Sequence, residues 1–167
     1  MNTIDIPIGK LHISEHNTRQ PKDTDPGIKE LALSLESAGQ TAAILVRPHP
    51  AKKGHYEIAA GARRSVAARV AGFATLRASV TDMDDDAFHM AILVDNLQRE
   101  NPDPRAEAEL LLKLHERGNT AIEIGAHMGK PESWVNRRMK LLAVDAKILK
   151  AWRDPKSSIG HLSLIHI

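Results

Sequence analysis

Gly61-Ala62-Arg63-Arg64-Ser65-Val66-Ala67-Ala68 is the stretch from which the fold is read. It follows an apolar, strand-like run, Tyr56-Glu57-Ile58-Ala59, and opens a helix-like run that closes at Gly72. A glycine and two arginines at a strand-to-helix junction make a natural polyphosphate cradle. Glycine lets the backbone come close, the free N–H groups of the first helical turn point outward, and the guanidiniums add charge. Arginine pairs at helix starts also serve plain surface salt bridges, so the stretch alone leaves both readings open.

Working outward, Ile4, Ile6 and Ile8 alternate with Asp5 and Pro7, which predicts an edge strand because of the proline. Ile28, Leu31, Leu35 and Ala38 recur at helical spacing over Pro26–Ala38, and Gly39 stops that helix. Short strands are predicted at Ile44–Val46, His55–Ala59 and Leu76–Val80, and helices at Arg63–Ala71 and about Ala87–Leu97. Asn101-Pro102-Asp103-Pro104 is a break, with Asp103 as cap and Pro104 at the first helical position. The fold class is α+β: a small domain with a short mixed sheet and helices over 1–103, then an all-α domain over 104–167.

The second domain is basic. Residues 1–104 hold 12 Lys/Arg and 14 Asp/Glu, net −2, whereas residues 105–167 hold 11 and 7, net +4. Within it, Thr120-Ala121-Ile122-Glu123 fits the capping box, Gly129 permits a tight turn, and Pro131 suits the first turn of a second helix. Val135, Met139 and Leu142 then face a core, while Lys130, Ser133, Asn136, Arg137 and Lys140 are assigned to DNA. This is the pattern of a helix-turn-helix whose second helix lies in the major groove. Asn136 and Arg137 carry side chains suited to base edges, and Lys130 and Lys140 to phosphates. Packing is the expected role of Trp134.

The chain has no cysteine, which excludes disulfides, thiolate zinc sites and cysteine nucleophiles and fits a reducing cytoplasm. No apolar run approaches the roughly 20 residues of a membrane span, so no membrane partner is expected. Asp95 and Asn96 offer oxygens for a hard cation such as Mg²⁺, although an Asp-Asn pair near a helix end also serves as a cap. The run Asp82-Met83-Asp84-Asp85-Asp86 lacks the glycine and ligand spacing of a calcium loop and reads as a solvated turn. Nine histidines show no tight pairing, so no zinc is assigned.

Taken together, these segments resemble the ParB/Spo0J/RepB family of partition proteins. Asn17-Thr18-Arg19 stands where the family has an N-x-R loop, and Leu31 to Gly39 resembles its L-A-x-S-I-x-x-x-G helix. Gly61 to Ala68 resembles G-E-R-R-x-R-A-A, and Asp95 to Pro104 resembles E-N-x-Q-R-x-x-L-x-P. Gly129 to Leu142 and Ser158-Ile159-Gly160-His161 resemble the later motifs. The resemblance implies a clamp that binds CTP and Mg²⁺ and recognises a palindromic, centromere-like site in double-stranded DNA. It further implies a homodimer and a ParA-type ATPase as partner, in the cytoplasm on nucleoid or plasmid. Carried over, Gly61, Arg63, Arg64 and Ser65 hold the triphosphate, and Gly39 and Gln40 border the base. Asp95 and Asn96 hold Mg²⁺, Asn96 also touching the nucleotide, and Arg99 supports the phosphates or the closed interface. The family's C-terminal dimerisation domain is not visible, so the chain reads as a shortened one.

Two departures shape the expectation. Ala62 replaces the family's glutamate and cannot polarise a water, so CTP binds with weak or absent hydrolysis. Asp95 replaces a glutamate and is one methylene shorter, which shifts the metal geometry. The alternatives are a transcriptional regulator of the same type and a metal-dependent nuclease drawing acids from Asp82–Asp86. Sulfiredoxin chemistry, found on related folds, is closed for want of a cysteine.

Overall fold

The computed structural model describes residues 2–17, 20–97 and 103–143. Thr18, Arg19, Arg99 and the 158–161 motif lie outside them. Five strands, β1 (Asn2–Pro7), β2 (Leu11–Ile13), β3 (Ile44–Pro48), β4 (Tyr56–Ala60) and β5 (Thr75–Val80), form one sheet in the order β1-β5-β3-β4-β2. It is mixed: β1–β5 and β3–β4 run antiparallel, β5–β3 and β4–β2 parallel. The helices are α1 (Pro26–Ala38), α2 (Ala62–Val70), α3 (Asp85–Leu97), α4 (Pro104–Glu116), α5 (Ala121–Met128) and α6 (Glu132–Lys140). No helix among the described residues is long and apolar enough to cross a membrane.

The elements follow the sequence pattern except at β2, which the sequence reading omits. Three residues are too few to show an alternation, and β2 exists because β4 lends it a parallel partner, Leu11 opposite Tyr56 and Ile13 opposite Ile58. The helix boundaries have local causes. Asp103 Oδ1 accepts the N–H groups of Arg105 and Ala106, and Pro104 starts α4. Gly39, at φ 69°, ends α1.

The sheet is covered on both faces along the inner parts of β3 and β4, whereas β1 and β5 expose Asp5 and Arg77. Ile44, Val46 and Ile58 face a core shared with Ile28, Ala32 and Leu35 of α1 and Val66 and Ala67 of α2. The intervening Leu45 and Ala59 belong to a second core, formed with Phe88, Ile92 and Leu93 of α3 and with α4–α6. Successive strand residues point to opposite faces, so a strand covered on both sides reads as the unbroken run Ile44-Leu45-Val46. Helix α3 therefore shares its core with the helical half of the chain, although it precedes the break at Asp103.

One ionic cluster pins α3 to the sheet. Arg47, 6 % exposed, lies opposite Glu57 in the β3–β4 register and donates from both Nε (3.0 Å) and Nη2 (2.8 Å) to Glu57 Oε2. Its Nη1 donates to Asp85 Oδ1 at 2.8 Å, and its guanidinium sits 3.9 Å from the Phe88 ring centroid. Arg117, beyond α4, pairs with Asp86 and stands 3.6 Å from Asp85. Asn119 donates to Asp86 Oδ2, and Asp84 Oδ1 accepts the Ala87 N–H. The acidic run is thus an exposed turn into α3 whose last three acids also serve as a cap and ion pairs. The hydrogen bond from Arg47 holds the Asp85 carboxyl below the usual carboxylate range, and those from Asn119 and Arg117 do the same for Asp86. Only Arg47 and Glu57 in this ionic cluster are largely buried, and removing one partner of a buried pair strands the other charge, at about 3–5 kcal/mol. Arg47→Met is therefore expected to lose about that much stability in urea denaturation at pH 7. A loss below about 1 kcal/mol, the range of an exposed pair, contradicts this role.

Candidate functional site

The junction between β4 and α2 is built around Gly61. Its φ of 93° is left-handed, and a Cβ there would stand 2.7 Å from Ile44 Cγ2, so only glycine fits. Arg64 folds back over it, with Nη1 3.5 Å from that Cβ position. No side chain caps α2, which leaves its first-turn N–H groups without a side-chain acceptor. Ser65 is fully buried, and its Oγ has no hydrogen-bond partner. Arg63 is exposed and donates from Nη2 to Gly27 O of α1 at 3.2 Å. Glycine at 27 makes room, because a Cβ there would lie 2.7 Å from the guanidinium. An uncapped helix start, a close-approach glycine, two arginines and a buried hydroxyl suit a polyphosphate.

Gly39 and Gln40 sit at the end of α1. Gln40 is held to β5: its Oε1 accepts the Arg77 N–H at 2.6 Å, its Nε2 donates to Arg77 O at 2.7 Å, and Arg77 Nη2 donates to Gln40 O. Sequence reasoning did not foresee this clasp, which spans 37 positions.

Asp95 and Asn96 take different environments. Adjacent residues on a helix diverge by about 100°. Asp95 lines a cleft of about 730 Å³ with Leu45, Ala60, Met90, Ala91 and His127. Ala60 precedes Gly61, so that cleft borders the start of α2; Arg63 is not among its lining residues. Asn96 instead is fully buried and donates from Nδ2 to Glu107 of α4. As it sits, Asn96 does not fit a metal ligand, and among the described residues no three His, Asp or Glu side chains converge as a metal site.

The helical half carries the second site. Thr120 caps α5: its Oγ1 accepts the Glu123 N–H, while the Glu123 carboxylate accepts the Thr120 N–H at 2.8 Å. Gly129, at φ 64°, turns the chain. Pro131 is the N-cap of α6, one place before the first turn in which the sequence reading set it, and its carbonyl accepts from Trp134 and Val135. Gly125 was missed from sequence. A Cβ there would stand 2.4 Å from Lys130 O, so α5 and the turn approach closely because residue 125 has no side chain. Val135 is fully buried, and Trp134 and Met139 are partly buried against the same core. Lys130, Ser133, Arg137 and Lys140 are exposed and Asn136 is half-buried. Arg137 Nε donates to Ser133 O at 3.2 Å, and Asn136 Nδ2 donates to Glu132 Oε1 at 3.3 Å.

With both sites in place, the similarity to other proteins is informative. The ParB N-terminal domain family matches residues 1–97. The chain belongs to that family. Among relatives, the chromosome-partitioning protein Spo0J of Thermus thermophilus is 37 % identical over 148 residues, 87 % of this chain and 54 % of the relative. The chain spans about half the length of the curated relatives it matches. Two solved structures of C-terminally truncated ParB from Caulobacter crescentus resemble it. The complex with the centromeric parS site is 31 % identical, with a TM-score of 0.64 over 88 % of this chain and 75 % of the other. The complex with CTP-gamma-S is 30 % identical, with a TM-score of 0.55 over 96 % and 89 %. The mixed α+β architecture of this ParB-family chain agrees with both.

One further group of this ParB-family chain escaped the sequence reading. His12 of β2 meets two histidines distant in sequence, its Nε2 2.9 Å from His55 Nδ1 and its ring 5.3 Å from that of His49. Nearby, His89 of α3 is 5 % exposed, its Nδ1 has no hydrogen-bond partner, and its ring meets His16 edge-on at 4.8 Å. Burial, helped by His16 and Lys113, lowers its pKa from 6.5 to about 4. A base whose folded pKa is depressed takes up its proton more readily when unfolded. Its stability contribution is complete above pH 6.5 and is lost as pH falls toward about 4. His89→Leu is therefore expected to show a shallower fall of melting temperature than wild type between those pH values. Parallel curves contradict the assignment.

Proposed function

We propose that this chain is the nucleotide- and DNA-binding part of a partition protein, a CTP-binding reader of a centromere-like site. The observation that carries the proposal is the pairing, within one ParB-family chain, of an uncapped α2 start at Gly61 with an outward basic face on α6. The relatives' names and the CTP-gamma-S and parS complexes of Caulobacter ParB support the choice of ligands.

In this reading the first-turn N–H groups of α2, with Arg63, Arg64 and Ser65, receive the triphosphate of CTP, and Gly61 lets it approach. Gly39 and Gln40 border the base, and the Arg77 clasp fixes where Gln40 stands. Bound Mg²⁺ would neutralise phosphate charge. Asp95 is placed on the cleft beside the turn, whereas Asn96 must leave Glu107 to reach a metal. Ala62 is 4 % exposed and packs in the sheet core. A buried methyl group neither orients a water nor takes a proton, which supports binding with little hydrolysis. Helix α6 enters the major groove, Asn136 and Arg137 toward base edges, Lys130, Ser133 and Lys140 toward the backbone. A palindromic site calls for two copies of the chain, and a ParA-type ATPase is the partner that segregation requires. The nuclease reading is less supported, because Asp84, Asp85 and Asp86 already serve a cap and ion pairs.

Calorimetry with CTP, ATP, GTP and UTP tests the nucleotide half. Selective CTP binding that Arg63→Ala abolishes is expected; equal binding of all four contradicts it. For the DNA half, Arg137→Ala is expected to cost about 1–3 kcal/mol on the cognate duplex if it reads a guanine edge. An unchanged gel shift moves the base-reading role to another residue.

A further inference from the structure

Glu107 of α4 is 0 % exposed, yet it carries a carboxylate. Burying such a group is costly unless partners surround it. Its partners come from two other helices. Asn96 of α3 donates to Oε1, and Arg138 of α6 brings Nε to 3.2 Å of Oε2. The second contact is an ion pair and not an aligned hydrogen bond. The Arg138 side chain is 20 % exposed, and its guanidinium lies 4.8 Å from the Trp134 ring centroid; Lys130 Nζ lies 5.6 Å from the same ring. Arg138 thus reaches inward, while Arg137, about 100° away round the helix, is exposed.

Helix α6 has nine residues, and Val135 is its one fully buried side chain. Trp134 and Met139, partly buried against the same core, seat the helix together with Val135. The Arg138 contact adds to this apolar seat a charge interaction with a buried acceptor on α4, which fixes the rotation more narrowly.

We propose that Glu107 and Arg138 are positioning residues that set the rotation of α6 about its axis, and so the aim of Asn136 and Arg137, without touching DNA. This rests on the DNA-reading proposal above. Bidentate base contacts need both donors in place at once, whereas contacts to the phosphate backbone tolerate a roll of the helix. Loss of the pair therefore weakens specific binding more than non-specific binding.

The test measures binding of the whole chain to a cognate and a scrambled duplex over a salt series, with thermal melts of each variant. Glu107→Gln and Arg138→Gln are each expected to weaken cognate binding about tenfold, and the double variant no further, as for two members of one contact. Scrambled-duplex affinity should change less than about twofold, with an unchanged salt slope, because Arg138 neutralises no phosphate. Arg138→Lys should recover part of the loss. A merely structural role would weaken both duplexes together in step with the melts. The proposal is overturned if folded single variants keep cognate affinity within about twofold, if the double variant is additive, or if Arg138→Gln lowers the salt slope by about one. Should Glu107→Gln fail to fold, Arg138→Gln, altering a partly exposed side chain, decides. If wild type does not distinguish the duplexes, the DNA-reading proposal fails instead. The pose of α6 is then read from Trp134 emission in a Trp152→Phe background. A red shift in Glu107→Gln, which leaves Arg138 available beside the ring, upholds the positioning role, and unchanged emission removes it.

Discussion

The Arg47 guanidinium is the constraint on which the two halves of this molecule depend. It lies on the one face of β3 that turns toward α3, and it holds Glu57 within the sheet and Asp85 at the start of α3 at the same time. Because Phe88 lies under it, the same contact that fixes the helix start also orders the apolar core behind it. Apolar packing of Phe88, Ile92 and Leu93 on Ala59 acts beside this contact in seating α3 on the sheet.

Helix α3 is consequently the element that lies between the Gly61 turn and the helical half. One side of it lines the cleft next to the Gly61 turn, and the other is buried against α4, where Asn96 meets Glu107. Glu107 in turn meets α6 through Arg138. Three successive polar contacts, from Arg47 through Asp85 and from Asn96 through Glu107 to Arg138, run beside the apolar core. Each has a buried partner, Arg47 in the first and Glu107 in the other two, and breaking it leaves that group unbalanced.

Much of this was legible in the sequence where periodicity and capping carry the information. The bounds of α1 follow from Ile28, Leu35 and the Gly39 stop, and the α5–α6 turn from the Thr120 box and Gly129. What was not legible depends on distant partners. Strand β2 is too short to announce itself without β4. Arg47 in Ile44-Leu45-Val46-Arg47 could have been noticed as a charge at the end of a buried run, on the face that alternation gives to Leu45. Its partners, 10 and 38 positions away, could not. Glu107 looks like any acid in the first turns of a helix, and only packing shows it to be enclosed. Asn96 was read as a ligand because of its motif; the fold shows it already holding a carboxylate.

In the proposed function this chain holds an anionic ligand at the start of α2 and DNA on α6, with α3 between them. Amide chemical-shift mapping of the isotopically labelled chain tests this most directly, with CTP and cognate duplex added in separate titrations. The account predicts that CTP moves the amides of Ala62, Arg63 and Arg64 most and that the duplex moves those of Ser133 to Lys140. Nucleotide shifts absent from the first turn of α2, or duplex shifts centred outside α6, would contradict it.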